Sequence, residues 1–123
     1  MSVEFPSAFH AYGKVHQNED SQWVCKGMGF RRLNHPDLGG GVWQFYLEQP
    51  VARRDRVVLL TVNQITYVAN ETYFGDEPAE NVIGVQTSNI SEGTPVPQDV
   101  EFSIAVYIVP SEIEPIQSEV FIP

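Results

Sequence analysis

The sequence predicts an all-β protein: one antiparallel β-sandwich, jelly-roll-like in type, spanning residues 1–123, with residues 1–7 as an N-terminal extension. Three observations predict it. Apolar residues recur at every second position in several short runs. Nine Pro and nine Gly punctuate the chain at intervals too short for long helices. No window joins a capping residue to apolar positions at helical spacing.

The strands follow in chain order. Over Phe9 to Val15 the residues Phe9, Ala11, Gly13 and Val15 share one face, and His10, Tyr12 and Lys14 share the other. This is the pattern of a half-buried strand. Trp43, Phe45 and Leu47 alternate with Gln44, Tyr46 and Glu48, launched by Gly39-Gly40-Gly41 and stopped by Pro50. The segment Arg56 to Asn63 is apolar on both faces, which places it in the middle of a sheet or against a second surface. Phe102, Ile104, Val106 and Ile108 form the clearest alternation and end at Pro110. Shorter candidates are Gln22 to Cys25, Gly29 to Leu33, Asn81 to Thr87 and Ile116 to Ile122. Between them lie turn-forming segments: Asn18-Glu19-Asp20, Asn34-His35-Pro36-Asp37, Gly75-Asp76-Glu77-Pro78 and Ser91 to Pro97.

Length and composition narrow the function classes. A chain of 123 residues, 42% of them hydrophobic, can build one core without staples. The single cysteine, Cys25, excludes an internal disulfide framework and an all-cysteine zinc cage. A net charge of −9 argues against nucleic acid as a partner. The start, Met-Ser-Val-Glu-Phe-Pro, lacks the basic and apolar regions of a signal peptide, and no stretch reaches membrane-spanning length. All seven basic residues lie within the first 56 positions, whereas ten acids and no Lys or Arg follow from Val57 onward. Solvated rims account for such a split. So do basic and acidic faces that meet between copies.

No catalytic constellation can be assembled, and no cofactor is expected. His10 and His16 share a strand face but lie about 20 Å apart along an extended chain, too far to share a metal ion. Cys25 has no activating motif and reads as a buried hydrophobe. The glycine run lacks the following Lys and Ser or Thr of a phosphate loop. Candidate subunit or ligand contacts are Arg53, Arg54 and Arg56 around Asp55, together with Trp23, Tyr67, Tyr73 and Phe74, because charged clusters and exposed aromatics are what binding surfaces use. Core filling explains the aromatics equally well. Asn70-Glu71-Thr72 and Asn89-Ile90-Ser91 match the glycosylation sequon, and without a signal peptide they read as chance matches.

The segments Ala8-Phe9-His10-Ala11-Tyr12-Gly13-Lys14-Val15, Gly29-Phe30-Arg31-Arg32-Leu33 and Gly41-Val42-Trp43-Gln44-Phe45-Tyr46-Leu47, followed by Val57-Val58-Leu59-Leu60, resemble the small β-sandwich domains of bacteriophage tail fibres and related virion appendages. Val85-Gln86-Thr87, Glu101 to Tyr107 and Phe121-Ile122 are similar to the closing strands of those domains. The resemblance implies a non-enzymatic homotrimer on a virion, assembled in the host cytoplasm, as a fibre tip or capsid decoration. Its partners would be other virion proteins and a host surface glycan or protein. The alternative is a monomeric carbohydrate-binding module that stacks sugars on exposed aromatics.

Overall fold

The computed structural model describes residues 10–36, 40–72 and 81–109. Among these residues nine strands follow one another: β1 Ala11–Gln17, β2 Trp23–Met28, β3 Phe30–Asn34, β4 Val42–Leu47, β5 Arg56–Thr61, β6 Tyr67–Thr72, β7 Val82–Asn89, β8 Val96–Pro97 and β9 Phe102–Ile108. A 3-10 turn, Arg53–Asp55, precedes β5. Every pairing is antiparallel, in two sheets ordered β2-β1-β9-β5 and β3-β4-β7-β6, with β8 beside β7. The sheets pack face to face, so the chain is an antiparallel β-sandwich.

The alternations place the core. Ala11 and Val15 of β1 are buried, whereas Tyr12 and Lys14 between them are exposed. Phe102, Ile104 and Val106 of β9 face the same interior, opposite Trp43, Phe45 and Leu47 of β4 and Ile83 and Val85 of β7. Phe102 meets the rings of Trp43 and Phe45 edge-on, with centroids 5.3 and 5.9 Å away, an arrangement favoured by the ring quadrupoles. The buried indole N–H of Trp43 donates to Thr87 Oγ1 at 3.0 Å, and the Thr87 hydroxyl donates to the Gln98 carbonyl at 2.7 Å. The polar atoms of this deepest aromatic are therefore satisfied.

Turn chemistry sets the corners. The Asn18 side-chain oxygen accepts from the N–H groups of Asp20 and Gln22, closing the β1–β2 hairpin. Gly29 carries the chain from one sheet to the other at φ +89, where a Cβ would stand 2.6 Å from that of Ala11. Gly41 opens β4 at φ +76, against the Thr87 carbonyl. Only glycine takes both the left-handed backbone and the close approach.

Several expectations change. The doubly apolar segment Arg56 to Asn63 is not central: among the described residues β5 is an edge strand of the first sheet, paired to β9. Val58 and Leu60 turn inward, while Val57 and Leu59 remain 42% and 48% exposed. Ile108, expected in the buried row of β9, is 46% exposed where the sheet ends. Strand β6 was not expected, because Tyr-Val-Ala-Asn-Glu-Thr has little alternation of its own and is held by its register on β7. The short candidate at Asn81 becomes an interior strand, β7, with β4 on one side and β6 on the other. Residues 1–7, the Gly75 to Pro78 turn and the Ile116 to Ile122 strand lie outside the described residues.

Candidate functional site on the outer face of the first sheet

Since side chains alternate across a strand, the residues of β2, β1, β9 and β5 that do not enter the core form the outer face of the first sheet. The register lays them in rows. Met28 stands opposite Tyr12, Tyr12 opposite Ala105, and Ala105 opposite Leu59, giving one apolar row across all four strands. In the next row Tyr107 faces Val57. Met28 is 60% exposed and Tyr12 43%, close to the values for Leu59 and Val57. Single exposed apolar residues are ordinary, but a contiguous set on a flat sheet marks a surface that meets another.

The row on the other side of Tyr12 is charged. Lys26 stands opposite Lys14, and Lys14 opposite Ser103. Like charges directly opposite on one face repel. Neither lysine has an ion pair among the described residues, where the two salt bridges are His35–Asp99 and Arg54–Asp55. An open groove of about 620 Å³ runs here, lined by Tyr12, Lys14, Lys26, Met28, Ser103 and Ile104. The face thus offers apolar area beside two cations.

A second concavity, about 350 Å³, opens where β2 and β3, the edges of the two sheets, flank one side of the sandwich. Trp23, Cys25, Phe30, Leu33 and His35 line it and are all half-buried. Arg32 and Arg31 reach away over the Tyr46 ring, with guanidinium carbons 4.1 and 5.2 Å from its centroid. Burial pushes the Cys25 thiol up to about 11, so it is neutral near pH 7 and a poor nucleophile. The His35 ring nitrogens contact the Val42 carbonyl at 2.6 Å and an Asp99 carboxylate oxygen at 3.0 Å. Both ring nitrogens are thus engaged within the fold, which makes His35 a tether of its loop. The other Asp99 oxygen accepts from the Gly41 N–H at 2.6 Å. This cluster ties the β3–β4 loop to the segment between β8 and β9.

The expected contact residues are scattered. Arg53 and Arg54 are exposed in the turn before β5, and Arg54 approaches Asp55 only at 3.9 Å. Arg56 is 7% exposed and points inward, donating to the carbonyls of Val51 and Val82 at 2.9 and 3.1 Å. It clamps the β4–β5 connection to β7 and is not a surface contact. Trp23 is half-buried, with its ring edge-on to Trp43 at 5.2 Å. Tyr67 is half-buried on β6, in the other sheet. Tyr73 and Phe74 lie outside the described residues. The face that does form, Tyr12, Met28, Val57 and Leu59, went unselected in sequence reading; its signal was the doubly apolar β5. His10, also on this side, contacts the Gln49 carbonyl through Nε2 at 2.7 Å. Among the described residues, no group of three or more His, Cys, Asp or Glu side chains could hold a metal ion.

No helix among the described residues is long and apolar enough to cross a membrane. Comparison with protein-family models, with curated proteins and with solved structures finds no match for this chain.

Proposed function

We propose that this chain is a non-catalytic structural protein that assembles as a homotrimer through the outer face of its first sheet, as a fibre tip or capsid decoration of a virion. The single observation that carries the reading is the exposed apolar row Met28, Tyr12, Ala105 and Leu59, extended by Val57. Apolar area returned from water stabilises by about 25 cal/mol per Å². A small domain with such a face gains by covering it with symmetry mates. Charge supports the same reading, because Lys14 and Lys26 border the face while the chain beyond Val57 is acidic without a single Lys or Arg. The virion setting rests on the resemblance in strand order and aromatic positions.

Light scattering at micromolar concentration tests the assembly. The expected result is three times the chain mass for the parent and one times for Leu59→Asp, with matching circular-dichroism spectra. A parent protein that stays monomeric overturns the proposal. A glycan array separates it from the sugar-binding alternative: free-sugar binding by a monomer would replace the assembly reading with that of a binding module. Detection of the protein in purified particles tests the virion setting.

A further inference from the structure

A ring of three copies is closed by contacts in which one patch of each chain meets a different patch of the next. Face against identical face would crowd the Lys14–Lys26 pairs of two copies and close a dimer instead. The basic and apolar face of the first sheet therefore needs its complement elsewhere on the same chain. That complement should project, carry apolar side chains, and be acidic.

The loops at the far end of β5 supply it. Ile65, between β5 and β6, is 96% exposed, against 60% for Met28 and 43% for Tyr12. Its backbone is nevertheless fixed. The Tyr67 N–H donates to the Gln64 carbonyl at 3.1 Å, and the Ile90 N–H donates to the Thr66 carbonyl at 2.7 Å. This second bond ties the β5–β6 loop to the turn between β7 and β8, where the Gly93 N–H closes on the Ile90 carbonyl at 3.1 Å. Ile90 is itself exposed, and Glu92 of the same turn is exposed with no ion pair among the described residues. Since no Lys or Arg follows Val57, neither loop carries a cation of that kind. A projection held in place by its own hydrogen bonds loses little freedom on docking.

We infer that this knob, Ile65 and Ile90 with Glu92, seats in the groove on the first sheet of the next copy in the ring. The isoleucines cover Tyr12 and Met28, and the Glu92 carboxylate lies between the ammonium groups of Lys14 and Lys26. The groove, about 620 Å³, is lined by these four residues. A carboxylate placed there turns the repulsion of two facing lysines into two charge-assisted contacts. The contact joins two copies and cannot form within one. Ile65 follows β5, whereas Lys26 and Met28 lie on β2 at the other end of the strand order, three strand spacings or about 14 Å away. Patches on opposite flanks of one sheet are what a closed ring uses. The inference rests on the assembly proposed above and names both sides of its contact.

Two variants of the full chain each disable one side: Ile65→Asp the knob, and Met28→Asp the groove. Light scattering should give three chain masses for the parent and one for either variant alone, with circular-dichroism spectra that match. Mixed in equal amounts, the two variants should form a heterodimer of twice the chain mass. The intact knob of one then enters the intact groove of the other, and no further contact is left. Ile65→Asp that stays trimeric, or a mixture without heterodimer, overturns the inference and leaves the trimer itself standing. A monomeric parent overturns both. A second measurement reads the charge: Glu92→Lys should raise the concentration at which the trimer half-dissociates about tenfold, and adding Lys26→Glu should restore it. Dissociation that is indifferent to both substitutions overturns the seat assigned to Glu92.

Discussion

The imidazole of His35 lies flat on the indole of Trp43, with ring centroids 3.9 Å apart and planes 11° from parallel. The same imidazole is held at both nitrogens, by the Val42 carbonyl and the Asp99 carboxylate. Stacking and hydrogen bonding together lock the β3–β4 loop onto the largest core side chain.

These two contributions separate by substitution. His35→Phe keeps an aromatic ring over Trp43 but loses both hydrogen bonds, one of them to a charged group. The expected loss is about 2 kcal/mol of unfolding free energy in urea titrations. His35→Ala removes the stack as well and should cost about 1 kcal/mol more. Equal losses for the two variants would show that the ring packing contributes nothing.

Thr87 is the sole hydroxyl between the Trp43 N–H and the Gln98 carbonyl. Thr87→Val preserves its shape yet leaves a buried indole N–H without an acceptor, and should destabilise by about 1–3 kcal/mol. Thr87→Ser keeps the oxygen and should retain most of the stability. Thermal melts of the pair measure the difference.

Gly29 and Gly93 both have positive φ, +89 and +84, but differ in their surroundings. Gly29→Ala meets Ala11 at 2.6 Å in addition to the strained backbone, so roughly 2–4 kcal/mol or failure to fold is expected. Gly93→Ala has nothing within 4 Å of its new Cβ and should cost only about 1–2 kcal/mol, the backbone penalty alone. Comparable losses for both would contradict the close packing of β1 against the β2–β3 corner.

Burial raises the Cys25 thiol from 9.0 to about 11. The unfolded chain ionises this group first, so its contribution to stability is complete below pH 9 and is lost as pH rises toward 11. The size is roughly 2 kcal/mol. Cys25→Ala should therefore lose less stability than the parent between pH 9 and 11, as read by urea midpoints. Parallel curves for the two proteins would place the thiol in contact with water.

The core of the fold is legible from residue order because strand periodicity is a local property. Phe102, Ile104 and Val106, or Ala11 and Val15, alternate strictly and end up buried, whatever their partners. The β1–β2 hairpin is equally local, since Asn18 closes it with its own side chain. Strand β6 was missed for the complementary reason: its six residues become a strand by pairing with β7, a relation between distant segments. The expected contacts failed in a similar way. Arg56 looks like part of a charged surface cluster, yet two carbonyls, those of nearby Val51 and of Val82 on β7, take its guanidinium.

Residue order alone determined that this protein is built of short antiparallel strands, that its aromatic alternations fill one core, and that its positive and negative charges are segregated along the chain. Only the tertiary structure decided that the doubly apolar β5 stands at an edge, that Met28, Tyr12, Ala105 and Leu59 align in one exposed row, and that Lys14 faces Lys26. The physical reason is that alternation within a strand follows from backbone geometry, whereas neighbours across strands follow from register, which long-range hydrogen bonding and core packing settle together.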